Sequence, residues 1–204
     1  MSFKSKLGQA VVPAVVLASL ALPALAHPGH PGGEPVVAGF AAGFTHPFGG
    51  FDHLMAMLAV GLWATQQSGK TPRALWLLPA AFVLSMAAGF ALGLAGIALP
   101  GVEAGIALSV LILGLLVAFA VRPPLVAGMA VTALFALLHG HAHATEIGDA
   151  SQALTYAGGM LLATAGLHGM GIAGAHLAQR FSLPVLTRSA GAAVALVGLV
   201  ILVG

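Results

Sequence analysis

His46-Pro47-Phe48-Gly49-Gly50-Phe51-Asp52-His53 interrupts an apolar run that extends from about residue 36 to about residue 67. As a single helix that run would be roughly 48 Å long, against the ~30 Å thickness of a hydrocarbon core. Pro47 disfavours helix at His46, and two glycines follow closely. The stretch predicts a short half-helix over about 36–45, a first crossing broken at His46-Pro47, and a second helix from about 52 to 67. Irregular backbone at membrane depth survives only where protein buries it or where it lines a cavity. Broken helices are where transporters place ion sites.

The composition around this stretch supports a membrane reading. The chain has 204 residues, of which 59% are hydrophobic and 6% charged, with a mean hydropathy of +1.04. A soluble domain carries about 25% charged residues, so a soluble globular enzyme is excluded. The pI of 9.5 rests on seven scattered Lys and Arg with no basic stripe, which excludes nucleic acid as a partner. There is no cysteine, hence no disulfide framework, thiolate site or iron–sulfur cluster. The 28 glycines suit helices that pack closely in lipid.

Further apolar segments lie at about 74–98, 102–121, 124–142, 151–178 and 187–204. Each is close to the ~20 residues that a span requires. The breaks between segments fall at Gln66 to Arg73, Pro100-Gly101, Arg122 to Pro124, His143 to Ala150 and Gln179 to Pro184. The expected architecture is all-α: a polytopic transmembrane helix bundle with about six crossings, forming a single domain over 36–204.

Residues 1–26 look like a signal peptide. Lys4 and Lys6 precede an apolar stretch, and Ala24-Leu25-Ala26 is a small-x-small cleavage site. A polar leader over 27–35 follows. The rival reading is an uncleaved first helix; cleavage after Ala26 puts the mature N-terminus on the periplasmic side. About six crossings then place Lys70, Arg73, Arg122, Arg180 and Arg188 all in the cytoplasm, in accord with the positive-inside rule, and the C-terminus in the periplasm.

Histidine supplies most of the polar chemistry inside the apolar segments. His46, Asp52 and His53 offer two imidazoles and a carboxylate, a donor set suited to Ni, Co or Zn. The competing reading has Asp52 capping the next helix and the histidines bonded to loop backbone. In His139-Gly140-His141-Ala142-His143-Ala144-Thr145-Glu146, His139, His143 and Glu146 share one helix face, and His141 points away. The alternative is simply a polar helix end at the headgroups. His168 sits alone in the fifth crossing, as a relay ligand or a helix–helix hydrogen bond; His176 is interfacial. Met55 and Met57 read as gap-fillers. At the new N-terminus, His27 and His30 form a weak candidate collector of metal, against a plain flexible leader.

The run His46-Pro47-Phe48-Gly49-Gly50-Phe51-Asp52-His53-Leu54-Met55-Ala56-Met57-Leu58-Ala59-Val60-Gly61 resembles the signature of the HupE/UreJ family of nickel permeases. Leu138 to Glu146 resembles the family's second motif, and Pro100-Gly101-Val102-Glu103 is similar to a third segment. The resemblance covers essentially the whole mature chain. It implies nickel transport across the bacterial inner membrane, feeding hydrogenase or urease. The residues themselves indicate only a divalent metal.

No nucleotide-binding loop is present, so a secondary carrier or facilitated channel is expected, not an enzyme. The transported ion and the bilayer are the expected partners, and no cofactor is expected to be permanently bound. A different class stays open: a haem- or metal-binding membrane redox or accessory protein that transports nothing.

Overall fold

In the computed structural model, residues 39–147 and 150–204 are described. The candidate signal peptide, the leader, His27 and His30 lie outside these residues. Seven α-helices and one short 3-10 turn account for the fold, with no strand among the described residues. The helices are α1 (Phe40–Gly49), α2 (Phe51–Ser68), α3 (Ala74–Leu94), α4 (Val102–Ala118), α5 (Leu125–Thr145), α6 (Ala153–Arg180) and α7 (Pro184–Val203). Helices α3, α5, α6 and α7 are long and apolar enough to cross a membrane. Helix α4 is apolar but shorter, at 17 residues.

The interruption of the first apolar run lies three residues beyond the expected His46-Pro47. Helix α1 carries straight through Pro47 to Gly49, and the chain becomes extended at Gly50 (φ −107°, ψ 120°). Proline near the end of a short helix forfeits one intrahelical bond, here the one to the Gly43 carbonyl, without requiring a break at the preceding residue. The stop comes where Asp52 folds back: its Oδ1 lies 2.8 Å from where a Cβ on residue 50 would stand. Only glycine leaves that space open.

Large apolar side chains face outward, and the polar groups of the apolar segments are buried within a mainly apolar core. Trp76 is 70% exposed, Leu84 71% and Leu154 85%, whereas His53, Gln67, Ser109, Thr132, His139, His143, Thr164 and His168 are buried. This is the distribution expected when the outer surface meets lipid and polar groups face the bundle interior.

Glycine decides which helices touch. A Cβ on Gly89 would overlap the Leu137 carbonyl, and one on Gly140 the Met86 carbonyl, so α3 and α5 meet backbone to backbone. Gly114, Gly191 and Gly198 do the same between α4 and α7. Gly43 and Gly159 seat α1 on α6, and Gly61 and Gly171 seat α2 on α6. Small residues at crossings allow the close approach that association in lipid depends on. Gly166, Gly169 and Gly174 of α6 lie outside these seams, since a Cβ at any of the three would meet nothing within 4 Å.

The loops after α2, α4 and α6 share one end of the bundle, and with it Lys70, Arg73, Arg122, Arg180 and Arg188. That end is tied by side chains bonded to backbone carbonyls. Trp63 Nε1 donates to Val121 O (2.8 Å), Gln66 Nε2 to Val117 O (3.0 Å), Gln67 Nε2 to Pro123 O, and Arg188 Nε to Ala118 O (2.8 Å). These acceptors belong to the last turn of α4 and its exit, where helix carbonyls lack intrahelical partners. Gln66 and Gln67, which look like the start of a polar loop, are therefore buried helix residues.

Candidate metal centre

At the opposite end, the start of α2 and the end of α5 bring the two histidine motifs together. The break at Gly50 turns α1 away and lets His46 face α5 while His53 enters the bundle. Helix α5 remains helical through Thr145, so His139 and His143 stack one turn apart with Glu146 just beyond. The ring centroids of His46 and His143 are 4.8 Å apart, those of His143 and His53 4.3 Å, and those of His53 and His139 4.7 Å. Glu146 Oε2 lies 2.8 Å from His46 Nε2. One donor atom each from His46, His143 and Glu146 falls within 4.8 Å of the others, close enough to hold one ion.

Two deeper rings are oriented by groups behind them. Asp52 Oδ1 lies 2.8 Å from His53 Nδ1 and also accepts from the His53 backbone N–H at 2.7 Å. A carboxylate only accepts, so Nδ1 carries the proton and Nε2 keeps its lone pair. Ser109 Oγ lies 2.6 Å from Ile106 O and 2.8 Å from His139 Nε2. The hydroxyl has one proton and the carbonyl can only accept it, so His139 Nε2–H donates to Ser109 and Nδ1 keeps its lone pair. His53 Nε2 and His139 Nδ1 are buried and have no hydrogen-bond partner among the described residues. An unpaired buried polar atom costs about 1–3 kcal/mol. A metal ligand carries such a lone pair for a purpose, with its other nitrogen held by a carboxylate or hydroxyl.

Asp52 thus orients His53 and stands outside the group formed by His46, His143 and Glu146. It stands in the first turn of α2, but its contact is to the neighbouring residue and Gly50 is the cap. His141 turns to another helix connection, with Nε2 donating to Ile97 O at 2.8 Å. His176 is exposed on α6, and Glu103 is exposed in the first turn of α4.

His168 lies deeper still, on α6. It is 1% exposed, and neither ring nitrogen has a partner among the described residues. Phe82 joins it to the upper rings: the Phe82 centroid is 5.8 Å from that of His139 and 5.0 Å from that of His168. The rings therefore follow one another from His46, 32% exposed at its side chain, through His143, His53 and His139 to Phe82 and His168. Tyr156 edges the mouth, 5.9 Å from His46 between centroids.

Ser109, Phe82 and Tyr156 were not singled out by sequence reasoning. Ser109 does carry a signal, as the one hydroxyl in the apolar run of α4. The other two have none, because aromatic residues are common in any crossing.

The HupE / UreJ protein family matches residues 15–201. Protein HupE of Rhizobium leguminosarum bv. viciae is 49% identical over 188 residues, covering 92% of this chain and 95% of that protein. No solved structure matches the chain.

Proposed function

The chain belongs to the HupE/UreJ family, a multi-pass membrane protein family, and on that premise we propose that it carries a divalent first-row transition-metal ion, nickel foremost, across the bacterial inner membrane. It works as a secondary carrier or facilitated channel and supplies a nickel hydrogenase or urease. It makes and breaks no covalent bond.

The observation that carries this reading is the graded file of imidazoles. An incoming ion first meets His46 and Glu146, which are partly exposed. These two groups stand 2.8 Å apart, and a cation binding there competes with protons for the imidazole nitrogen. His143 completes the first coordination. His53 Nε2 and His139 Nδ1 then offer lone pairs farther in, and His168 lies past Phe82. Spaced ligands of moderate strength let an ion enter and also leave. All the donors in the upper group are nitrogen or oxygen, which suits Ni, Co and Zn better than soft ions. The basic end is assigned to the cytoplasm by the positive-inside rule, which makes the His46 end the periplasmic mouth.

The haem reading finds less support. Neighbouring imidazoles sit 4.3–4.8 Å apart between centroids, which leaves no slot for a macrocycle between them. The decisive experiment is uptake of radiolabelled nickel by proteoliposomes, competed with cobalt and zinc at two pH values. Uptake above that of empty liposomes is expected. Equality with empty liposomes, or a Soret band in purified protein, would overturn the assignment.

A further inference from the structure

Beside Phe82, three helices bring together residues that the imidazole file does not use. Met57 of α2, Met86 of α3 and Thr164 of α6 are each completely buried. Thr164 Oγ1 lies 3.4 Å from Met57 Sδ and 3.8 Å from Met86 Sδ. His168 stands one helical turn after Thr164, on the same face of α6. Phe82 stands one turn before Met86 on α3 and lays its ring against His168.

Methionine in a helix bundle is ordinarily a flexible filler of irregular gaps. That accounts for the two sulfurs but not for His168. A core needing only volume has no use for an imidazole with both nitrogens unpartnered, and the Thr164 hydroxyl on the same face is directed at thioethers. Two thioether sulfurs, a hydroxyl oxygen and an imidazole nitrogen form a softer donor set than the one at the mouth. Thioethers discriminate against hard cations, which prefer carboxylate, carbonyl and water.

We propose that Met57, Met86, Thr164 and His168 form a second, inner station for the transported ion, which accepts transition-metal ions with affinity for thioether sulfur and refuses Mg²⁺, Ca²⁺ and Mn²⁺. The proposal rests on the reading of the chain as a metal carrier. It divides the work between the two sites: the mouth gathers divalent ions by charge and imidazole, and the inner station selects among them. Phe82 borders both, with its ring against His139 on one side and His168 on the other.

The test uses the full-length protein, purified in detergent and loaded with nickel. X-ray absorption at the nickel edge reads the donor atoms, and equilibrium dialysis reads the stoichiometry. In the His46→Ala/His143→Ala variant the ion that remains should show sulfur scattering. The volume-conserving Met57→Leu/Met86→Leu variant should lose the sulfur signal and keep the ion at the mouth. His168→Gln, judged folded by gel filtration, should bind one ion fewer than the unaltered protein. A spectrum without sulfur in the unaltered protein, or a sulfur signal that persists in the double leucine variant, overturns the inner station. Proteoliposome uptake by the unaltered protein separates the two failures. Uptake without sulfur scattering sinks the station alone, whereas absence of uptake sinks the carrier reading itself.

Discussion

Ser109 Oγ accepts from His139 Nε2 at 2.8 Å while giving its own proton to the Ile106 carbonyl at 2.6 Å. One serine in an otherwise apolar helix thereby decides which nitrogen of a histidine on another helix is available to an ion. Ser109→Ala removes the acceptor and frees the ring to turn or change tautomer. Loss of such a supporting group typically costs 10–100-fold in metal affinity. Half-saturation of uptake should rise by about that factor, with the amount of inserted protein unchanged. An unchanged half-saturation would show that His139 needs no such support.

The two faces of α5 should separate cleanly. His143→Ala and His139→Ala are expected to reduce the initial uptake rate to background, and Glu146→Gln to reduce it partially. His141→Ala should transport normally, because its ring is committed to Ile97 O. Its cost should appear instead in thermal stability, by about 1 kcal/mol for one hydrogen bond. Rates normalised to inserted protein provide the check. A His141→Ala variant as inactive as His139→Ala would contradict the helical arrangement.

At Asp52 the question is charge against acceptor. Asp52→Asn can still accept from His53 Nδ1, so partial uptake is expected, and Asp52→Ala should abolish it. If the carboxylate itself binds metal, Asn will be as inactive as Ala. Comparing half-saturation for the two variants decides between an orienting and a ligating role.

Protons compete with metal for imidazole nitrogens. Loading the mouth should therefore release protons, and acidification should weaken loading. Uptake at limiting nickel is expected to fall between about pH 7.5 and pH 5.5, and saturating nickel should recover much of it. Calorimetry in two buffers of different ionisation enthalpy would count the released protons. A value of zero would argue against this exchange.

Glycine positions offer a test of the seams. Gly140→Ala drives a Cβ into the Met86 carbonyl. Overpacking of this kind costs about 1–3 kcal/mol, more where backbone cannot yield, and outweighs the roughly 1 kcal/mol that alanine gains in a helix. Gly169→Ala meets nothing within 4 Å and should be neutral or slightly stabilising. Melting of the purified variants distinguishes the two. Equal melting temperatures would show that α3 and α5 can part.

The sequence makes the helix count and the two histidine motifs legible because both depend on local spacing. Apolar length marks the crossings, and the interval between His139 and His143 places them on one face. The meeting of His46 with Glu146 is not local, since it depends on which helices pair. That pairing is written in glycines scattered along seven helices, and a glycine in a seam looks the same as Gly169 facing lipid. The position of the break was misread for a related reason. Proline is the conspicuous residue, but the stop occurs where Asp52 needs room above Gly50. Gln66 and Gln67 appeared to begin a loop because their acceptors lie at the far end of α4.

The bonds from Trp63, Gln66, Gln67 and Arg188 to the exit of α4 give the bundle unequal mechanics. One end is riveted; the other is cut at Gly50. Tongs built this way spread at the jaws and not at the pivot. The jaws here carry His46 on α1 and Glu146 just past α5, so for a carrier these are the elements that would have to give to admit an ion with its water shell. At the riveted end, parting the helices would break several hydrogen bonds at once, so for a carrier an ion leaving there would have to travel by the swing of individual side chains. For a carrier, entry and departure would then be different kinds of motion, and a residue other than glycine at the cut, whose Cβ would press on Asp52 Oδ1, should impair the first.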